Sequence, residues 1–231
     1  MRDEAEFWEA GGVYRPSDHP VVALFARQRI QYLERLGALR DVATVLDVGA
    51  GSGFSSRYYP SRVRVVACDF AAGMLRSNPV RDRVRCAAAR LPFASGSFDA
   101  VACWELLHHL ADPVAALREM ARVARRRLLI FEPNRVNPGH VVLALARATE
   151  RQSLRFSPAH VRELLSRAGL SPARHERCGL VFPNATPAWL ARALARLPFR
   201  APIVGVSQLA IVETRETLPS PRRAKPAGES S

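Results

Sequence analysis

Apolar positions along this chain follow two rhythms, a helical spacing and short solid runs, and the exchange between them predicts its elements. From 20 to 36, Val21, Leu24, Phe25, Ile30 and Leu33 recur at helical spacing, which predicts a helix lying over the approach to a sheet. Compact apolar runs at 44–48, 63–68, 84–87, 99–103 and 127–131 read as strands. Between them, helices are expected at about 52–59, 72–77 and 113–124; Asp112 as N-cap and Pro113 in the first turn mark the start of the last. Strand and helix in repeated alternation argue for a parallel sheet with right-handed crossovers.

Beyond residue 131 the rhythm loosens. Pro133, Asn134, Asn137, Pro138 and Gly139 make a turn-rich exit, and HVVLALARATE then predicts a short apolar helix of the kind that covers a pocket. Ser157 and Pro158 restart a helix that Gly169 stops. Residues 172–178 and 205–213 read as two final strands. The last stretch holds only proline, charge and small residues, so 217–231 is expected to be a disordered tail.

Within the first strand and its exit, TVLDVGAGSG carries the sharpest chemical signal. Asp47 sits inside the strand, and glycines follow at 49, 51 and 53. Glycines at a strand end let a ligand approach the backbone, because no Cβ intervenes and positive φ costs little. The dinucleotide pattern G-x-G-x-x-G is not met: counted from Gly49 the third position is Phe54, and counted from Gly51 it is Ser56. A carboxylate two residues before the first glycine opposes a pyrophosphate and suits a ligand with an ammonium group. Both features weigh against an NAD-dependent oxidoreductase.

VLDVGAGSG resembles the first motif of the class I S-adenosylmethionine-dependent methyltransferases. The resemblance continues through RVRVVACD, CDFAAGML, ARLPFASGSFDAVACWELLHHLADPVAALREMARVARR and LLIFEPNRVNP, most like the small-molecule branch. It implies a Rossmann-like fold: a mostly parallel seven-stranded sheet with an antiparallel last strand and helices on both faces. Residues 42–216 would form the methyltransferase domain, with a helical cap at 1–41 and covering segments at 136–157 and 183–203. S-adenosylmethionine is the implied cofactor. Gly49, Ala50, Gly51 and Gly53 would bring backbone amides to its methionyl end, aided by the dipole of a helix opening near Ser52. Asp47 would hold the ammonium, Asp69 both ribose hydroxyls, and Phe70 and Met74 the adenine, with Cys103 and Trp104 close by. Taken alone, core packing is the simpler account of Phe70 and Met74. The two aspartates resist it, since carboxylates in apolar strands cost free energy unless paired. Where relatives carry an aspartate before the LPF segment, this chain has Ala87, so only the Ala88 backbone amide is left for the adenine and weaker cofactor affinity is expected.

Composition narrows the partners. The 231 residues include 34 basic against 21 acidic, a net charge of +13. All the basic residues but Lys225 are arginine, and they are scattered, which reads as solvated surface more than as a nucleic-acid face. A nucleic-acid methyltransferase is therefore the alternative and not the first reading. Cys68, Cys86, Cys103 and Cys178 have no C-x-x-C spacing, so neither a disulfide frame nor a metal site is expected. Without an apolar run of about 18 residues or a leader-like start, the expectation is a cytoplasmic protein with at most a light membrane-surface contact through a basic helix at 187–197.

For catalysis, in-line methyl transfer needs positioning first and a base only if the acceptor arrives protonated. CWELLHHL delivers Glu105, His108 and His109 to the carboxyl edge of the sheet, and Glu132 ends the fifth strand. His108, His109 and Glu132 are the candidate bases; a structural hydrogen bond is the competing account for each. Tyr14 and His19 would close over the cofactor or anchor the first helix. The apolar covering segments suit a modest-sized, partly apolar small molecule as methyl acceptor.

Overall fold

Five of the apolar runs pair in parallel, and two more complete the sheet, of which only the last in the chain runs in the opposite sense. The computed structural model describes residues 2–10 and 14–214; the tail expected at 217–231 lies outside them. Strands β1 (Thr44–Val48), β2 (Arg64–Asp69), β3 (Asp82–Arg85), β4 (Phe98–Trp104), β5 (Ala124–Pro133), β6 (Arg174–Cys178) and β7 (Ser207–Glu213) form one sheet in the order β3-β2-β1-β4-β5-β7-β6. Strands β1 to β5 run parallel, and β7 is antiparallel to both β5 and β6. This is the expected Rossmann-like class I arrangement.

Helices cover both faces. On one, α2 (Pro20–Arg35) and α7 (Ala188–Leu194) bury Phe25, Leu33 and Ala191 against Ala100, Ala102 and Leu129. On the other, α4 (Pro113–Val123) and α6 (Pro158–Arg167) bury Leu117, Met120, Val161 and Leu164 against Val101, Cys103 and Leu128. Every residue of β4 is buried, as a central parallel strand with both faces covered requires. Three further helices, α1 (Arg2–Glu9), α3 (Ala72–Arg76) and α5 (Pro138–Ala146), stand around the carboxyl edge. From β1 the chain crosses to β2 on one side while β4 lies on the other, so the connections part between β1 and β4. Such a switch point opens a crevice at the strands' carboxyl ends.

The main departure from expectation falls just after β1. In place of a helix over 52–59 the chain makes consecutive turns and one 3₁₀ turn, Ser56–Tyr58. Gly51 and Gly53 hold positive φ of 47° and 90°, the serine hydroxyls bond elsewhere, and Pro60 ends the segment before an α-helix can propagate. The helix dipole expected near Ser52 is thus not supplied. The covering segment after β5 also divides, into α5 and a 3₁₀ stretch, Ala148–Arg155. Among the described residues, no helix is long and apolar enough to cross a membrane.

Candidate active site

A cavity of about 470 Å³ opens at the switch point. The glycine turn forms its floor. Gly49 has φ +70°, and a Cβ there would meet Leu106 Cδ1 at 2.6 Å; a Cβ on Gly51 would meet Met74 Cε at 3.0 Å. Only bare backbone fits between these side chains and a ligand.

Of the residues that the sequence singled out, Gly49, Ala50, Gly51, Asp69, Phe70, Met74, Ala88, Trp104, His108 and His109 line this cavity. Asp69, at the end of β2, accepts from the amides of Gly51 and Ala71, each at 2.9 Å. These bonds fix the carboxylate at the rim, and a carboxylate has roughly four lone-pair sites, so it can accept further donors. Burial pushes its pKa up against the pull of those amides. Phe70 is 43 % exposed at the mouth, whereas Met74 is buried beneath it. Ala87 is exposed and bridges to Arg90 beside the cavity.

Asp47, Gly53, Cys103 and Glu132 stand behind the wall instead. Asp47 is buried under the glycine turn, where one carboxylate oxygen accepts from the hydroxyls of Ser55 and Ser56, both at 2.5 Å. Burial raises its pKa to about 6 although the hydroxyls oppose the rise. Its place is that of a clamp on the turn. Gly53 packs against Pro79 and Asn78, and Cys103 lies in the core. Glu132 accepts from the amides of Leu106 and Leu107 at 3.0 and 2.7 Å and from His108 Nδ1 at 2.9 Å. All three of these bonds hold the 3₁₀ turn Leu107–His109.

His108 lies between two carboxylates, with Nε2 3.7 Å from Glu150 on the far wall. Burial alone would lower its pKa, yet the hydrogen bond to Glu132 and the charges of both Glu132 and Glu150 raise it to about 10. Glu150 is pushed up by burial and pulled down further by His108, His109 and the Tyr14 hydroxyl, to about 2. Flanked by two carboxylates, His108 favours its protonated form, which weighs against the free-base role expected from the sequence. The donor atoms of His108, His109 and Glu150 all lie within 4.8 Å of one another, close enough to gather on a cation; with His108 protonated, the imidazolium itself supplies that charge. Tyr14 hydrogen-bonds Glu150 at 3.0 Å and stacks on Trp8, whose ring also meets His109 edge-on at 5.1 Å. His19 caps α2 by accepting from the Val21 amide, so it anchors that helix.

One candidate residue escaped the sequence. Arg29 is 1 % exposed on α2, stacked over Phe25 at 3.7 Å and Phe131 at 4.7 Å. Its Nη2 donates to Glu105 Oε1 at 2.7 Å and to the Ser207 hydroxyl. Its Nη1 is buried without a partner, and the side chain lines the cavity. The signal was present: position 29 falls on the stripe Val22, Phe25, Ala26, Leu33 that packs on the sheet, where a charge calls for explanation. Glu105 holds this arrangement from φ +55°, a left-handed conformation rare for its type.

Comparison with known proteins agrees with this geometry. Residues 46–130 match the family model of the methyltransferase domain. A demethylmenaquinone methyltransferase of Beutenbergia cavernae is 45 % identical over 107 residues, 43 % of this chain and 44 % of that protein. One of Paenarthrobacter aurescens is 45 % identical over 95 residues, 38 % of each. The chain thus spans less than half the length of these curated relatives. Among solved structures, an S-adenosylmethionine-dependent methyltransferase of Thermotoga maritima superposes with a TM-score of 0.64 at 16 % identity, covering 84 % of this chain and 92 % of that one. Magnesium protoporphyrin IX methyltransferase of Synechocystis, solved with S-adenosylhomocysteine, gives 0.56 at 17 % identity, covering 92 % and 94 %. Residues 46–130 thus match the methyltransferase domain family, and the chain as a whole carries the fold of the class I S-adenosylmethionine-dependent methyltransferases it superposes on.

Proposed function

We propose that this protein transfers a methyl group from S-adenosylmethionine to a small, partly apolar acceptor. The observation that carries the reading is one cavity holding three complementary features. These are a glycine floor with no room for a Cβ, a rim carboxylate at Asp69, and the unpartnered Nη1 of Arg29. Together they fit a nucleoside bearing an amino acid. Asp69 would accept the ribose hydroxyls, Phe70 and Met74 would flank the adenine, and the Ala88 amide would donate to its ring. Arg29 would meet the methionyl carboxylate, a charge-assisted bond in a site shielded from water. Asp47 would act on the cofactor through the turn it clamps. The cofactor supplies an electrophilic methyl group.

On the acceptor side, Leu106, Leu110, Leu143, Val181 and Phe182 form an apolar wall, with Trp8, Tyr14 and His109 facing it. Such a wall excludes water and holds a flat molecule in line with the methyl group, and positioning alone can account for much of the rate. The imidazolium of His108 would stabilise negative charge that develops on an acceptor oxygen, and His109 remains the candidate base. The curated relatives are named for demethylmenaquinone, which makes a hydroxylated aromatic ring the first acceptor to try. We assign catalysis to residues 42–216 under a helical cap at 1–41, and place the enzyme in the cytoplasm, where the four free thiols are at home.

Thermal shift and calorimetry test the cofactor, and labelled S-adenosylmethionine with demethylmenaquinol tests the acceptor. Stabilisation by S-adenosylmethionine and none by NAD is expected. The reading is abandoned if NAD binds and S-adenosylmethionine does not.

A further inference from the structure

Of the eight large hydrophobic side chains that are exposed among the described residues, seven lie between 136 and 204: Val136, Val142, Leu145, Trp189, Leu197, Ile203 and Val204. The clustering is not an accident of one loop. Asn137 donates to the Val204 carbonyl at 2.7 Å and Asn134 to that of Gly205 at 2.8 Å, which ties the 203–204 tip to the start of α5. Phe182 stacks against His140 of α5 at 6.5 Å, and the chain runs from there directly into α7 and Trp189, which is 71 % exposed.

Helix α5 has no charged residue from Pro138 to Ala146. His140 and Leu143 face the cavity while Val142 and Leu145, 68 % and 59 % exposed, face outward. An ordinary surface helix keeps a polar outer face. Soluble proteins seldom leave such a patch open unless something docks on it.

Charge identifies what docks. Segments 136–157 and 183–203 hold six arginines, at 147, 151, 155, 192, 196 and 200, against one acid, Glu150, which turns inward to Tyr14 and His108. Arg151, Arg155, Arg192, Arg196 and Arg200 are exposed. Apolar side chains ringed by arginine match the boundary of an anionic bilayer, where the former enter the acyl region and the latter meet phosphate. At nine residues α5 can lie in that boundary but not span it.

We infer that α5, α7 and the 203–204 tip form a face that rests on an anionic lipid bilayer. The docking stands on this surface alone; that a lipid-borne acceptor enters the cavity past α5 rests on the methyltransferase reading above.

Co-sedimentation with vesicles of phosphatidylcholine alone, or mixed with phosphatidylglycerol, tests the docking, with Trp189 fluorescence as a second readout. Binding to the mixed vesicles only, with a blue shift absent in Trp189→Ala, is expected. The Val142→Ser, Leu145→Ser double variant should bind about tenfold more weakly, as loss of buried apolar area demands. Calorimetry with S-adenosylmethionine separates the two claims, since these exposed changes leave cofactor affinity alone whether or not docking occurs. Failure to sediment with either vesicle overturns the inference. So does sedimentation that the double variant leaves unchanged, which would assign binding to charge alone. Light scattering that shows the patch buried in a dimer would overturn it too.

Discussion

At the scale of single residues, Arg29 is the most informative. It occupies a core position on α2, gives Nη2 to Glu105 and Ser207, and leaves Nη1 toward the cavity. Burying an unpaired donor costs free energy, so a site that keeps one is built to receive an acceptor. Replacing it by a side chain of similar length without charge isolates that role. Arg29→Met is expected to weaken S-adenosylmethionine by about ten- to a hundredfold, the worth of a hydrogen bond between charged groups. Binding of 5′-methylthioadenosine, which lacks the amino-acid end, should be unchanged in calorimetry. An equal loss for both ligands would mean that the variant disturbs the cavity as a whole and would refute a carboxylate contact. The same residue marks a limit of sequence reading. Its helical register was legible, but its partners Glu105 and Ser207 lie 76 and 178 positions away, and only the fold brings them together.

Among elements, the turn after β1 decides how the site is held. Strands were legible because β-branched runs between turn residues have few other uses, and α2 and α4 because caps and stripe agree. The segment 52–59 was misread because length and position suggested a helix where Gly51, Gly53 and Pro60 oppose one. Asp47 compensates by clamping Ser55 and Ser56, and its raised pKa has a consequence for stability. The unfolded carboxyl ionises near pH 4 while the folded one keeps its proton to about pH 6. Its contribution is therefore full below pH 4 and lost as pH rises through 6, by roughly 3 kcal/mol at most. In Asp47→Asn the amide oxygen still accepts from both serines and the ionisation is gone. Urea denaturation should find the variant more stable than the parent at pH 7, with the difference shrinking toward pH 4. A difference that does not vary with pH would remove the claim that Asp47 titrates in the fold.

For the whole molecule, the sheet supplies the floor and distant segments supply the roof. Trp8 and Tyr14 come from the amino-terminal region, Glu150 from the stretch after α5, and Phe182 from the loop before α7. Tyr14 and Glu150 join two of these across 136 positions, a pairing no local pattern could announce. The roof and the core are separable: no residue before Val21 belongs to any hydrophobic cluster among the described residues, although α1 rests on α3 and Glu9 pairs with Arg85 at 3.1 Å. Exposed ion pairs of that kind contribute little, about 0–1 kcal/mol. A chain lacking residues 1–18 loses the bonds of Arg15 to Pro183 and Thr186 and of Tyr58 to Ser17 but no described member of a hydrophobic cluster, so it should still melt cooperatively within several degrees of the parent. Cofactor release should instead quicken by about tenfold or more, because a roof that excludes water mainly sets the rate of escape. Stopped-flow displacement of S-adenosylhomocysteine measures the release, and melting measures the core. An unchanged release rate would show that the amino-terminal segment does not close the cavity. A large drop in melting temperature with no change in release would make it a structural brace instead.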